Sequence, residues 1–270
     1  MSQASHASLS EIEQFWQDAA RTALDSRGLR AVAPDPFLQD LIETAMEKWL
    51  PTGGTLFDIG SGDGFSTIRF ARSVTRTLGF DFIADFARRA HENARQEGVP
   101  ITFEQANVMD LTEVRKRHGL ADAVTTIRCL INLGSWDNQR RALDEIAATV
   151  RPGGLYMLSE GWAHGWAGLD ELRVQCGLTP MPLPSHNLLI DRTAFDKHVA
   201  AQFELVKYVP LGLYLILSRV LQPLYTAPEP PRHKHRINEV SAILSKLGVG
   251  NEAFHELDYA GVQILRRLKT

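Results

Sequence analysis

Thr55-Leu-Phe-Asp-Ile-Gly-Ser-Gly-Asp-Gly-Phe-Ser-Thr67 runs from an apolar strand carrying one acid into alternating glycines at 60, 62 and 64. Each glycine permits a tight turn and leaves the backbone bare for a ligand to approach. From Phe65 the apolar spacing turns helical, with Ile68, Phe70 and Ala71 apolar and Arg69 and Arg72 polar. A strand, a glycine loop and a helix in that order make a cradle for a nucleotide-like ligand. The dinucleotide fingerprint G-x-G-x-x-G would need its third glycine at 65, where this chain has Phe65. Asp58 stands two residues before Gly60 and would repel a pyrophosphate, whereas a cationic ligand would be held by it.

Outward from this loop the chain alternates strand and helix. Helices are expected over Leu9–Leu24 and Pro36–Leu50, the first with Ile12, Phe15, Trp16 and Ala19 on one face. Strands are expected at Thr75–Phe80, Ile101–Glu104, Ala121–Ile127 and Leu155–Ser159, with helices between them, including Ile83–Gln96 and Gln139–Val150. Such alternation predicts an α/β fold with a parallel sheet covered by helices on both faces.

The acid followed by G-x-G-x-G resembles the first motif of the class I S-adenosylmethionine (SAM)-dependent methyltransferases, and the order of signals fits that family over Leu50 to Glu160. The resemblance implies a Rossmann-like seven-stranded, mostly parallel sheet with an antiparallel last strand. That last pair falls at about Phe203–Val209 and Gly261–Leu265. Residues 1–50 are then an N-terminal helical cap, and 51–270 the methyltransferase domain with helical insertions at about 161–190 and 211–259. The cofactor implied is SAM, leaving S-adenosylhomocysteine as product.

In this reading SAM is met by Asp58, Gly60, Ser61, Gly62 and Gly64. Asp81, in Gly79-Phe80-Asp81-Phe82 at the end of the second strand, would take both ribose hydroxyls, with Phe82 beside it. Ala106-Asn-Val-Met-Asp-Leu111 resembles the family's Gly-Asp-Ala-x-x-Leu segment, which puts Asn107 on the adenine amine and Val108 on a ring nitrogen; a shifted loop would use Asp110 instead. Arg128 closes the fourth strand, where it could pair with the SAM carboxylate or with a neighbouring acid.

The acceptor belongs near the carboxyl ends of the strands. Ser159-Glu-Gly-Trp-Ala-His-Gly-Trp166 leaves the fifth strand there, and Pro182-Leu-Pro-Ser-His-Asn187 forms a later loop. The candidate base is His186 first and His164 second, with Glu160 as orienter or acceptor-binding group. Trp162 and Trp166 read as pocket wall or as core. The apolar stretch Leu211–Leu221 and the helix Ile237–Leu247 would close over the pocket or form an oligomer surface, a homodimer for example.

The remaining features bound the function. A formal charge of −3 and a pI near 6.3 argue against a nucleic-acid surface. Two distant cysteines, Cys129 and Cys176, make neither a disulfide framework nor a metal spacing, so metal-independent transfer is expected. Met1–Glu11 lacks the apolar core of a signal peptide, and Val209–Leu221 is too short to span a bilayer and carries Arg219. A cytoplasmic enzyme methylating a hydroxyl of a small metabolite, natural product or sugar is the leading expectation. The alternatives are transfer to a small amine and an inactive methyltransferase-like binding subunit.

Overall fold

A computed structural model describes residues 7–22, 32–248 and 251–269. Met1–His6, the start of the segment read for a signal peptide, and the expected last turn of the first helix at 23–24 lie outside them.

The strands are β1 (Thr55–Ile59), β2 (Arg76–Asp81), β3 (Thr102–Gln105), β4 (Ala121–Ile127), β5 (Val150–Ser159), β6 (Phe203–Val209) and β7 (Val262–Arg267). The helices are α1 (Leu9–Arg21), α2 (Pro36–Glu47), α3 (Phe65–Phe70), α4 (Ala84–Gln96), α5 (Thr112–His118) and α6 (Trp136–Thr149). They continue as α7 (Ala163–Gln175), α8 (Arg192–Val199), α9 (Gly212–Ile216), α10 (Gln222–Thr226) and α11 (Arg236–Lys246), with a π-helical turn, Leu217–Leu221, joining α9 to α10.

The seven strands form one sheet in the order β3-β2-β1-β4-β5-β7-β6. Neighbours from β3 to β5 pair in parallel, while β7 runs antiparallel to both β5 and β6. This is the Rossmann-like α/β sheet with one antiparallel last strand. The order reverses between β1 and β4, and that switch point opens a crevice at the strands' carboxyl ends. β5 starts at Val150 rather than Leu155, because Val150 pairs with Ala121 across a register irregularity before the regular ladder begins at Ala123 and Leu155.

Strand periodicity divides the core in two. Phe57, Val124, Leu158 and Leu265 point into a cluster with Leu143, Ile146 and Ala147 of α6 and Phe195 of α8. Their chain neighbours Leu56, Ala123, Met157 and Ile264 point the other way, against Leu41, Ile42 and Ala45 of α2 and Tyr214 and Leu215 of α9. Successive strand side chains alternate between faces, so adjacent apolar pairs mark strands buried on both sides.

The helices at 211–247 therefore occupy the layer beside α2 and are not a cap over the crevice. They are pinned there by Asp35, the N-cap of α2, which meets Arg219 Nη2 at 2.5 Å and accepts the Tyr214 hydroxyl at 2.8 Å. An apolar stretch such as Leu211–Leu221 announces that it must be buried, but not against which surface.

Candidate functional site

A cavity of about 400 Å³ lies at the carboxyl ends of β1, β2 and β4, a size suited to a small molecule. Asp58, Gly60, Ser61, Gly62, Asp81, Phe82, Asn107, Val108 and Arg128 all line it. Of the residues expected at the cofactor, Gly64 alone stays off the wall.

The glycine loop is built by contacts to the next strand. The N–H groups of Gly60 and Ser61 both donate to the Phe80 carbonyl, at 2.8 and 3.0 Å, which folds the loop back over β2. Gly60 has φ +74°, and a Cβ there would sit 2.8 Å from the Cys129 side chain. Gly64 caps α3 at φ +82°, where a Cβ would fall 2.8 Å from Ala90 and from Phe103. The first glycine thus serves the approach of the β4 loop, and the third serves packing of α3 on α4 and β3.

Asp81 clasps two loops. Its carboxylate accepts the N–H of Gly62 at 2.8 Å and of Ile83 at 2.9 Å. It is 9% exposed and faces the cavity, and burial, with Asp63 nearby, pushes its pKa up to about 6. Two backbone donors leave lone pairs free for a further donor. Ser61 adds a buried hydroxyl oxygen with no hydrogen-bond partner on the same wall.

Asp58 is not the open anionic site that its sequence position suggested. Its oxygens accept the hydroxyls of Thr67 at 2.5 Å and Thr125 at 2.8 Å, so it braces β1 to α3 and β4 beneath the cavity. Burial raises its pKa to about 6.

Asn107 Oδ1 accepts the Met109 N–H at 2.9 Å, shaping a turn in which Asn107 and Val108 both reach the cavity. Asp110 is turned toward the start of α5, where it accepts the Thr112 N–H, and it does not line the wall.

Arg128 has φ +53°, in the left-handed region that non-glycine residues rarely occupy. Among the described residues it pairs with no carboxylate. Its Nη2 donates to the Val32 carbonyl at 2.6 Å and to Gln39 Oε1 at 2.9 Å, and burial lowers its pKa.

None of the three residues expected at the acceptor reaches the wall. Glu160 is buried at the end of β5, where it accepts the N–H groups of Cys129, Leu130 and Ile131 at 3.1, 3.1 and 3.3 Å. It holds the loop that carries Arg128; burial pushes its pKa up to about 7. His186 stacks on Phe15 at 3.9 Å and meets Trp16 edge-on at 5.5 Å, so it supports α1 from behind. Burial lowers its pKa. His164 lies in α7, its Nδ1 buried without a partner. Trp162 is wholly buried in the core.

The missing side of the cavity is α1. Leu9, Ser10, Ile12, Glu13 and Trp16 line it, with Asn132 and Leu133 beyond β4 and Phe86 of α4. Trp16 Nε1 donates to Asn132 Oδ1 at 3.0 Å, and Asn132 Nδ2 donates to the Arg128 carbonyl at 2.7 Å. A capping box between Ser8 and Glu11 starts the helix. A sequence signal for this role exists: Leu9, Ile12, Glu13 and Trp16 share one helical face, so an acid sits on an apolar stripe. The described residues contain no group of three His, Cys, Asp or Glu that could hold a metal ion, and no helix among them is long and apolar enough to cross a membrane.

Residues 56–154 match a family model described as a methyltransferase domain. Over 110 residues the chain is 32% identical to a ubiquinone/menaquinone biosynthesis C-methyltransferase of Bdellovibrio bacteriovorus, covering 40% of this chain and 44% of that protein. Over 104 residues it is 29% identical to a ubiquinone biosynthesis O-methyltransferase of a Methylobacterium species, covering 38% and 39%. The chain thus matches less than half the length of these curated relatives. Among solved structures it resembles the [4+2]-cyclase SpnF, with TM-score 0.59, 17% identity and 98% of each chain covered. It also resembles the N-methyltransferase NodS of Bradyrhizobium japonicum, crystallised with S-adenosylhomocysteine, with TM-score 0.54, 12% identity and coverage of 94% and 98%. At such identities the likeness is one of fold.

Proposed function

We propose that this chain is a class I SAM-dependent methyltransferase, a reading supported by the match over residues 56–154 and by the sheet order, and that it binds SAM in the cavity at the switch point and methylates a small-molecule acceptor there, on a hydroxyl oxygen. The observation that carries the reading is Asp81, a half-satisfied carboxylate facing the cavity from the end of β2, locked to the glycine loop through Gly62.

The residues fit the cofactor. Asp81 has lone pairs left for ribose hydroxyls, and Ser61 Oγ is an unpaired polar atom beside it. Asn107 keeps one lone pair of Oδ1 for an exocyclic amine, with the Val108 backbone next to it. Arg128 spends one nitrogen on Val32 and Gln39, and its remaining donors suit a carboxylate. Bound SAM supplies a methyl group on a positive sulfur, so the protein's task is chiefly alignment and exclusion of water. α1 lies over the cavity and does the excluding.

An acceptor of small-molecule size agrees with the cavity and with the two curated relatives, one named for C- and the other for O-methylation. A cytoplasmic location goes with this reading and with the free thiols of Cys129 and Cys176. Isothermal titration with SAM and S-adenosylhomocysteine is the test. Micromolar binding of both supports the reading, and absence of binding removes it.

A further inference from the structure

On the α1 side of the cavity, among the described residues, Glu13 is the charged side chain on a wall that also carries Leu9, Ile12, Trp16 and Leu133, with Ser10 and Asn132 as its neutral polar members. It is half-buried, and among the described residues one side-chain hydrogen bond ties it down: Gln17 Nε2 donates to its Oε1 at 3.0 Å. No cation among the described residues pairs with it. The opposite wall carries Asp58 and Asp81, and the arginine on it among the described residues, Arg128, is already bonded to Val32 and Gln39. A carboxylate on an apolar wall attracts a hydrogen-bond donor or a cation and repels an anion.

We propose that Glu13 is the acceptor-recognising carboxylate, and that the acceptor is a neutral or cationic compound whose apolar ring packs on Trp16 and Leu133 while its O–H donates to Glu13. The proposal rests on the SAM reading of the opposite wall. In the transfer, the acceptor oxygen forms the new bond to the methyl carbon as the carbon–sulfur bond breaks. The bonding pair stays on sulfur, which becomes neutral, and the acceptor's proton passes to Glu13. An apolar body suits the wall, because a ring laid on Trp16 removes apolar surface from water on both sides.

The test uses three phenols that differ in charge away from the ring hydroxyl: 4-ethylphenol, tyramine and 4-hydroxyphenylacetate. Each is titrated into the full-length protein saturated with S-adenosylhomocysteine. Expected is binding of 4-ethylphenol and tyramine at least tenfold tighter than of 4-hydroxyphenylacetate. Glu13→Gln should reduce that preference at least fivefold, with affinity for S-adenosylhomocysteine unchanged. Equal or tighter binding of the anionic phenol overturns the proposal, as does binding of none of the three, or an unchanged ranking in Glu13→Gln. Loss of S-adenosylhomocysteine binding in Glu13→Gln also overturns it, by placing Glu13 on the cofactor. Failure of wild-type protein to bind S-adenosylhomocysteine would instead sink the underlying SAM reading.

Discussion

Trp16 donates its indole N–H to Asn132 Oδ1 at 3.0 Å, across 116 residues of chain. The bond ties the helix over the cavity to the loop that follows β4, and Asn132 passes the tie on to the Arg128 carbonyl. Two further contacts hold this helix: the Ala7 N–H donates to the Ser185 carbonyl, and Phe15 stacks on His186.

Trp16→Phe keeps an aromatic ring but removes the donor. A neutral hydrogen bond contributes about 0.5–1.5 kcal/mol, so S-adenosylhomocysteine should dissociate roughly two- to tenfold faster, with little change in thermal stability. Stopped-flow displacement measures the rate. An unchanged off-rate would show that α1 does not retain the cofactor.

Asp81 predicts two opposite pH dependences. Its pKa, and that of Asp58, lie near 6 in the folded chain, above the ordinary aspartate value. The folded protein then binds more protons than the unfolded one between about pH 4 and pH 6, so ligand-free stability falls as pH rises through that window. Glu160, raised to about 7, extends the fall toward neutrality. Asp35, held well below the ordinary range by the Arg219 guanidinium against the cost of its burial, opposes this only below about pH 4. Urea midpoints should therefore rise from pH 7.5 to pH 5.5. SAM affinity should move the other way, since an ionised Asp81 is the better acceptor for ribose hydroxyls, and should weaken below about pH 6. Asp81→Asn should flatten the SAM profile and cost about tenfold to a hundredfold in affinity at pH 7.5, as expected for loss of a hydrogen bond to a charged group of roughly 1.5–3 kcal/mol. Titration calorimetry across pH checks both.

Glu160→Gln separates a structural role from a chemical one. The amide would turn an N–H₂ toward three backbone donors that now share a carboxylate. A buried donor left unsatisfied costs about 1–3 kcal/mol, so the melting temperature should fall by several degrees and SAM affinity with it. Lost turnover with unchanged melting and SAM affinity would restore Glu160 to the chemistry.

The cavity wall made of the residues expected at the cofactor was legible in the sequence because those residues are fixed by chain-local geometry. The glycine loop follows β1, Asp81 ends β2 and Asn107 lies two residues past β3, and a strand end in a parallel sheet has one place to be. β4 could be bounded to the residue because its burial stops at both ends, whereas β6, an edge strand with only Phe203 buried, was placed at about Phe203–Val209 by the family resemblance. The α1 wall proposed for the acceptor was illegible because it depends on packing between distant segments. His186 looked like a base from its loop, but Phe15 stacks on its ring and Trp16 meets it edge-on. Arg69 shows the same limit from the other side. It met the eye as a polar helix residue, yet it binds Asp40, Glu43 and Glu47 of α2 and so fixes the helix that carries Gln39.

The position of β7 has a consequence for biosynthesis. β1 to β5 can find their partners in the order in which they leave the ribosome, each next to one already made. β6 cannot, because its one neighbour in the sheet is β7, made more than fifty residues later. A nascent chain paused anywhere between Val209 and Val262 would carry β6 and the apolar face of α9 without their sheet partner. That interval is when this protein most needs shielding from aggregation.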